Sequence, residues 1–199
     1  MTVRRRTTAT RQQSSKIVLV VDGLSEECYF ENFVGMNPNL KVILKPITNQ
    51  SSYDKTLRHC DRMINSKVVE LRKKDRLVIV TDVDNASHES VSKFEKKCSE
   101  KGYQLHISNI CFEVWLLMHY KDITKWYTAE ELNKELSQVL EREYVKSDGI
   151  PFDESKVRQA IGRGYGTIPD SDGCIVQCLK LSKSSTTLHF LVKELLDCN

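Results

Sequence analysis

The stretch Leu77-Val78-Ile79-Val80-Thr81-Asp82-Val83-Asp84-Asn85 constrains the fold more than any other part of the chain. A continuous apolar run that ends in two aspartates one residue apart reads as a buried strand, stopping where polar chemistry begins. Strands buried on both faces belong to parallel sheets covered by helices. In open α/β sheets, ligands bind outside the carboxyl ends of the strands. Asp82 and Asp84 are therefore the first candidates for a site, and carboxylates placed in this way suit a divalent cation. A plainer reading stays open beside it, in which Asp84 and Asn85 only form a turn and cap the next helix.

The rest of the chain supplies the helices such a strand needs. Residues 16–21 form a first β-rich run that ends at Asp22-Gly23. Ser25 can cap the helix that follows, with Glu26 and Glu27 in its positive first turn. Residues 41–47 read as a second strand, with Pro46 marking an edge position or the strand end. A long amphipathic helix is expected over 53–73, with Leu57, Ile64, Val68 and Leu71 on one face. The central strand runs from Arg76 to about Thr81. A helix follows from Ser87 or Ser90 to Lys101, ended by Gly102. Residues 103–108 read as a fourth strand, and 111–120 as a helix with Phe112, Trp115, Leu116 and Leu117 in the core. Four more helices are expected: from Thr128 to near Lys146, from Asp153 to about Ile161, from Asp170 or Ser171, and from Ser185 to about Leu196. Pro151 and the glycines of 162–166 mark loops. The alternation predicts an α/β fold: a mainly parallel sheet of about four strands with helices on both faces, then a helical C-terminal third.

At 199 residues, with 29% charged and 40% hydrophobic side chains, the chain has the make-up of a soluble globular protein. Its apolar runs are too short to span a membrane. The basic start is followed by no apolar stretch of the signal-peptide kind, which points to the cytoplasm. The net charge of +3 is divided unevenly. Residues 1–16 carry Arg4, Arg5, Arg6, Arg11 and Lys16 and no acid, whereas the remainder has 25 basic and 27 acidic residues. A flexible basic leader over 1–15 is expected, able to meet nucleic acid phosphates or simply to be solvated. A single domain is expected over 16–199. The seven cysteines are odd in number and scattered, with no CxxC, and read as reduced thiols rather than disulfides or a zinc site.

Three strand ends carry the candidate chemistry. The first delivers Asp22, with Glu26 one turn into the helix. The third delivers Asp82 and Asp84. The fourth delivers Ser108 and Asn109, then Glu113 in the next helix. Parallel strands bring these ends to one edge. Carboxylates gathered there repel one another, and burial would raise their pKa values. A hard cation removes that conflict, and oxygen-rich ligation suits Mg²⁺ or Mn²⁺. Such metals commonly act on phosphate esters. Each signal alone has a modest alternative: Asp22-Gly23 as a turn, Glu113 as a helix-start residue, and His106 and His119 as satisfied core histidines.

In combination the motifs resemble the RloB family of bacterial proteins, which have a TOPRIM-like fold. Residues 20–26 with Tyr29-Phe30 resemble its first motif, an acid, Gly and Thr/Ser-Glu followed by an aromatic pair. Thr81-Asp82-Val83-Asp84 resembles its DxD. Residues 108–119 are similar to its segment Ser-Asn-Pro-x-Phe-Glu-x-Trp, leucines and His. Residues 184–195 resemble its C-terminal signature. The chain departs from the pattern twice: Asp22 stands at the usual Glu, one methylene shorter, and Ile110 at the usual Pro.

The resemblance implies a TOPRIM core over about 16–120 and a helical part over 121–199. It further implies a Mg²⁺- or Mn²⁺-dependent nuclease acting on DNA or tRNA in antiviral defence, beside an ATPase partner from the same operon. Asp22, Asp82 and Asp84 would then hold the metal and carry catalysis, supported by Glu26, Asn109 and Glu113. Apart from the resemblance, Arg158 and Arg163, beside and within the glycine-rich stretch, are candidates to meet the nucleic acid backbone, with a solvated loop as the favoured plainer reading. A homo-oligomer is left open. A second reading keeps the fold without catalysis, as a subunit acting through the ATPase or by binding nucleic acid. A phosphatase of the HAD type, which also ends a strand in DxD, wants that motif after its first strand rather than its third.

Overall fold

The computed structural model describes residues 15–44 and 53–197. The basic leader up to residue 14, Pro46 with the end of the second expected strand, and Cys198 lie outside them. The elements are β1 (Ile17–Val21), α1 (Leu24–Val34), β2 (Leu40–Leu44), α2 (Tyr53–Asn65), β3 (Arg76–Asp82), α3 (His88–Glu100) and β4 (Gln104–Asn109). They continue as α4 (Glu113–Leu117), α5 (Ala129–Leu140), α6 (Glu154–Tyr165), α7 (Cys174–Lys180), β5 (Ser185–Thr186) and α8 (Leu188–Asp197).

The strands form one sheet in the order β2-β1-β3-β4-β5. The first four are parallel, and β5 runs antiparallel to β4, Ser108 opposite Thr186 and Asn109 opposite Ser185. From β1 the chain moves outward to β2, then returns past β1 to β3. The winding direction therefore reverses between β1 and β3, where α/β sheets open a crevice at the strand ends.

Side chains alternate across each strand and so build two cores. Ile17, Leu19, Val21, Val78 and Val80 face Phe30 and Phe33 of α1, the leucines of α4, and residues of α5, α6 and α8. Val18, Val20, Leu77, Ile79 and Ile107 face Leu57 and Cys60 of α2, Phe94 of α3 and Ile175 of α7. The apolar continuity of β1 and β3 follows directly: β1 throughout, and β3 from Leu77 to Thr81, are buried on both faces. No helix among the described residues is long and apolar enough to cross a membrane.

Several boundaries differ from expectation. The helix expected over 53–73 stops at Asn65. The Ser66 hydroxyl and amide bond back to Arg62, Lys67 adopts φ 58°, and the amide of Val69 bonds to the Met63 carbonyl. That turn buries Val69 and leaves Val68 exposed. The helix expected to reach Lys146 ends at Leu140, where Glu141 takes a left-handed conformation. The glycine-rich stretch expected as a loop is the last turn of α6, which runs on to Tyr165. The helix expected from Ser185 starts at Leu188, because 185–186 complete the sheet as β5. The helix expected from Asp170 or Ser171 starts at Cys174.

Candidate active site at the sheet edge

Pairing carries the acids to one edge. Asp82 closes β3 opposite Ser108, and Asp22 follows directly on Val21, the last residue of β1. The alternation that builds the cores also divides these side chains. Asp22 falls on the α2 face, where its Oδ2 accepts a 2.6 Å hydrogen bond from Thr81 Oγ1. Asp82 falls on the opposite face, toward α1 and α4. Asp84 sits in a left-handed conformation (φ 47°), its amide bonded to the Ile110 carbonyl at 2.9 Å. The Val83 amide likewise bonds to the Ser108 carbonyl, so the DxD turn is fastened to the end of β4. The Asn109–Ile110 peptide in that strand end is cis.

Asp82 carries a carboxyl that the chain leaves uncompensated. Its Oδ1 is buried and meets no hydrogen-bond donor. Burial, then the charges of Glu26, Glu113, Asp84 and Asp22, push its carboxyl well above the usual range. Glu26 is 3% exposed, and its carboxylate curls over Gly23, 3.0 Å from where a β-carbon would stand. Desolvation raises its pKa to about 7, with Glu113 and Asp22 adding to the shift and its own backbone N–H opposing it. Glycine at position 23 is therefore what leaves room for this acid.

Glu113 is buried but compensated. Its Oε1 accepts from the Ser25 hydroxyl at 3.0 Å and the Tyr144 hydroxyl at 3.1 Å, and lies 3.2 Å from the Lys146 ammonium. Burial works against ionisation, yet Lys146 and hydrogen bonds from Cys111, the backbone and Ser25 outweigh it, so the carboxyl sits below its ordinary value. Two neighbouring glutamates thus carry opposite shifts: burial dominates at Glu26, whereas Lys146 and the hydrogen-bond donors together outweigh burial at Glu113.

The other expected residues are placed as follows. Asn109 is buried, with its amide Nδ2 3.5 Å from the Cys178 carbonyl on α7. Arg158 is held by Glu154 on the surface of α6, and Arg163, also on α6, by Asp122 and the Met118 carbonyl. Both arginines thus sit on a helix and have partners within the chain. His119 is a satisfied core histidine: Nδ1 donates to the Trp115 carbonyl, Nε2 accepts from the Tyr29 hydroxyl, and burial lowers its pKa to about 4. His106 is similarly lowered to about 4, chiefly by burial. The six described cysteines are all free. Tyr53, Thr81, Tyr144 and Lys146 belong to the site without having been singled out, and Ser25, expected to cap α1, lies inside that helix and donates to Glu113 instead. Tyr53 donates to the Asp82 carbonyl, and Lys146 acts on both glutamates.

Among the described residues no group of three or more His, Cys, Asp or Glu is gathered as a metal cage. The donor chemistry is nevertheless that of a hard cation. The donors are all carboxylate oxygens, one of them buried without a partner, and Mg²⁺ takes one or two carboxylates and completes its shell with water. Zinc, which prefers Cys and His donors, does not suit.

No curated protein and no solved structure gave a match to this chain. A family model described as RloB-like protein matches residues 17–195, from the start of β1 to near the end of α8, and the chain belongs to that family.

Proposed function

We propose that this chain is a Mg²⁺-dependent, TOPRIM-type nuclease that cleaves phosphodiester bonds in DNA or tRNA as part of antiviral defence. The observation that supports it best is the buried, unpartnered Oδ1 of Asp82 amid four other carboxyls at the switch point of the sheet. Uncompensated acids at a ligand crevice lower stability, and they are retained where a cation completes them. Asp82 and Asp84 would hold Mg²⁺ or Mn²⁺, with Asp22 presented from β1 beside them. When bound, the metal polarises a phosphoryl oxygen and lowers the pKa of a water.

The protein's own groups divide the remaining work. Glu26, with a pKa of about 7 before metal binds, is suited to take or give a proton near neutrality. Thr81 fixes the Asp22 carboxylate through Oδ2. Glu113, anchored by two hydroxyls, keeps one negative charge in a set place. The defence role and an ATPase partner rest on the family resemblance.

A specific observation favours a second reading, a catalytically weak subunit acting through a partner: Asp22, one methylene shorter than the family's glutamate, is tied to Thr81, and among the described residues no three acids are gathered as a metal cage. One assay separates the two. Purified protein is incubated with plasmid, single-stranded DNA and total tRNA in Mg²⁺, Mn²⁺ or EDTA, beside an Asp82→Ala/Asp84→Ala variant. The nuclease reading expects metal-dependent cleavage that the variant loses. Cleavage that survives in the variant overturns the site assignment, and silence on every substrate favours the subunit reading.

A further inference from the structure

The acid edge raises a problem that the acids and a metal do not solve alone. Five carboxyls (Asp22, Glu26, Asp82, Asp84 and Glu113) lie at a site that, on the nuclease reading, must receive a polyanion. One cation enters this group from an unexpected direction, the connection between α5 and α6. Tyr144 and Lys146 lie in that connection, and Tyr144 anchors it. Its amide bonds to Ser137 Oγ, and its hydroxyl bonds to Glu113 and stands 3.1 Å from Ser25 Oγ. Lys146 then places its ammonium 3.2 Å from Glu113 Oε1.

The two partners of that ion pair differ sharply in environment. The Glu113 side chain is 1% exposed, whereas that of Lys146 is 58% exposed. Glu113 Oε1 also has its Ser25 and Tyr144 donors, so it stays hydrogen-bonded if Lys146 turns away. An ammonium has three donors, and this pair occupies one of them. Lys146 is therefore tethered at one side and open at the other, over a crevice that contains an unpartnered buried carboxylate oxygen.

We propose that Lys146 is the substrate-binding cation of this site, its ammonium meeting an anionic oxygen of the phosphodiester while Glu113, Tyr144 and Ser25 act as the positioning residues that aim it. This rests on the nuclease reading and adds to it a residue outside the acid motifs. Lysine serves as a compact point charge for phosphate, and a half-exposed ammonium is available for that contact.

The test measures binding and metal affinity separately from turnover. Fluorescence anisotropy with a labelled single-stranded oligonucleotide, in EDTA and in Ca²⁺, is followed across a salt series for the parent chain, Lys146→Met and Lys146→Arg. Mn²⁺ binding and thermal unfolding are recorded for all three. Lys146→Met is expected to weaken oligonucleotide binding about tenfold or more and to lower the slope of log affinity against log salt by about one. Lys146→Arg is expected to restore most of the affinity, and Mn²⁺ binding is expected to persist in both. If Lys146→Met binds the oligonucleotide with the parent's affinity and salt slope, the proposal fails and the nuclease reading stands. If the parent chain itself binds no oligonucleotide in either condition, both fail. A loss in Lys146→Met that tracks a fall in thermal stability, unrelieved by arginine, marks a purely structural lysine and overturns the proposal.

Discussion

Asp82 and Glu26 illustrate how a residue can be costly to the fold and informative about the site. Burial dominates both shifts, and neighbouring carboxyls add to each. The pKa of Glu26 rises from 4.5 to about 7, so between those values the folded chain binds more protons than the unfolded one. Stability from this group is fully present below pH 4.5 and is lost as the pH rises through about 7. Glu26→Gln should remove that dependence and, above pH 7 in EDTA, stabilise the chain by roughly 3 kcal/mol. Urea unfolding across this pH range checks it; a variant that loses stability with pH as steeply as the parent contradicts the assignment. The five acids were legible in the sequence because each sits beside a strand end or helix start. Tyr144 and Lys146 were not. Ser25 and Tyr144 meet across 119 residues of sequence, and both Tyr144 and Lys146 lie in a stretch that reads as continuing helix.

Elements were legible where the apolar pattern decided them and obscure where one backbone turn or one distant partner did. β1 and β3 announce themselves as unbroken apolar runs because helices cover both faces. β5 is two residues long and exists only because Ser108 and Asn109 offer an open edge. The last turn of α6 hides behind glycines that the sequence suggests as loop, and Gly164 has a specific reason to be there. A β-carbon at Gly164 would lie 2.3 Å from His189 Cγ on α8. His189 itself is fully buried and bonds through Nε2 to the Ile168 carbonyl. Helix α6 can therefore approach α8 this closely only without a side chain. Gly164→Ala should cost about 1–3 kcal/mol through overpacking, despite alanine's better helix propensity. The urea midpoint reads this; unchanged stability would mean the two helices separate freely.

At the scale of the whole molecule, one sheet order places the DxD of β3 beside the acid of β1 and the glutamates of α1 and α4. The parallel α/β class was readable from the alternation of elements. The reversal between β1 and β3 was not, because strand order depends on which helix covers which face. The C-terminal third was expected to be helical, yet it supplies β5 and residues to both cores as well as the connection bearing Lys146. Metal chemistry at the edge can be tested without substrate, by thermal unfolding of the parent and of Asp82→Asn in EDTA and in Mg²⁺. If Asp82 is a carboxylate waiting for a cation, Asp82→Asn raises the melting temperature in EDTA, and only the parent gains stability when Mg²⁺ is added. An equal Mg²⁺ gain in both chains, or a variant less stable than the parent in EDTA, would contradict a metal site at Asp82.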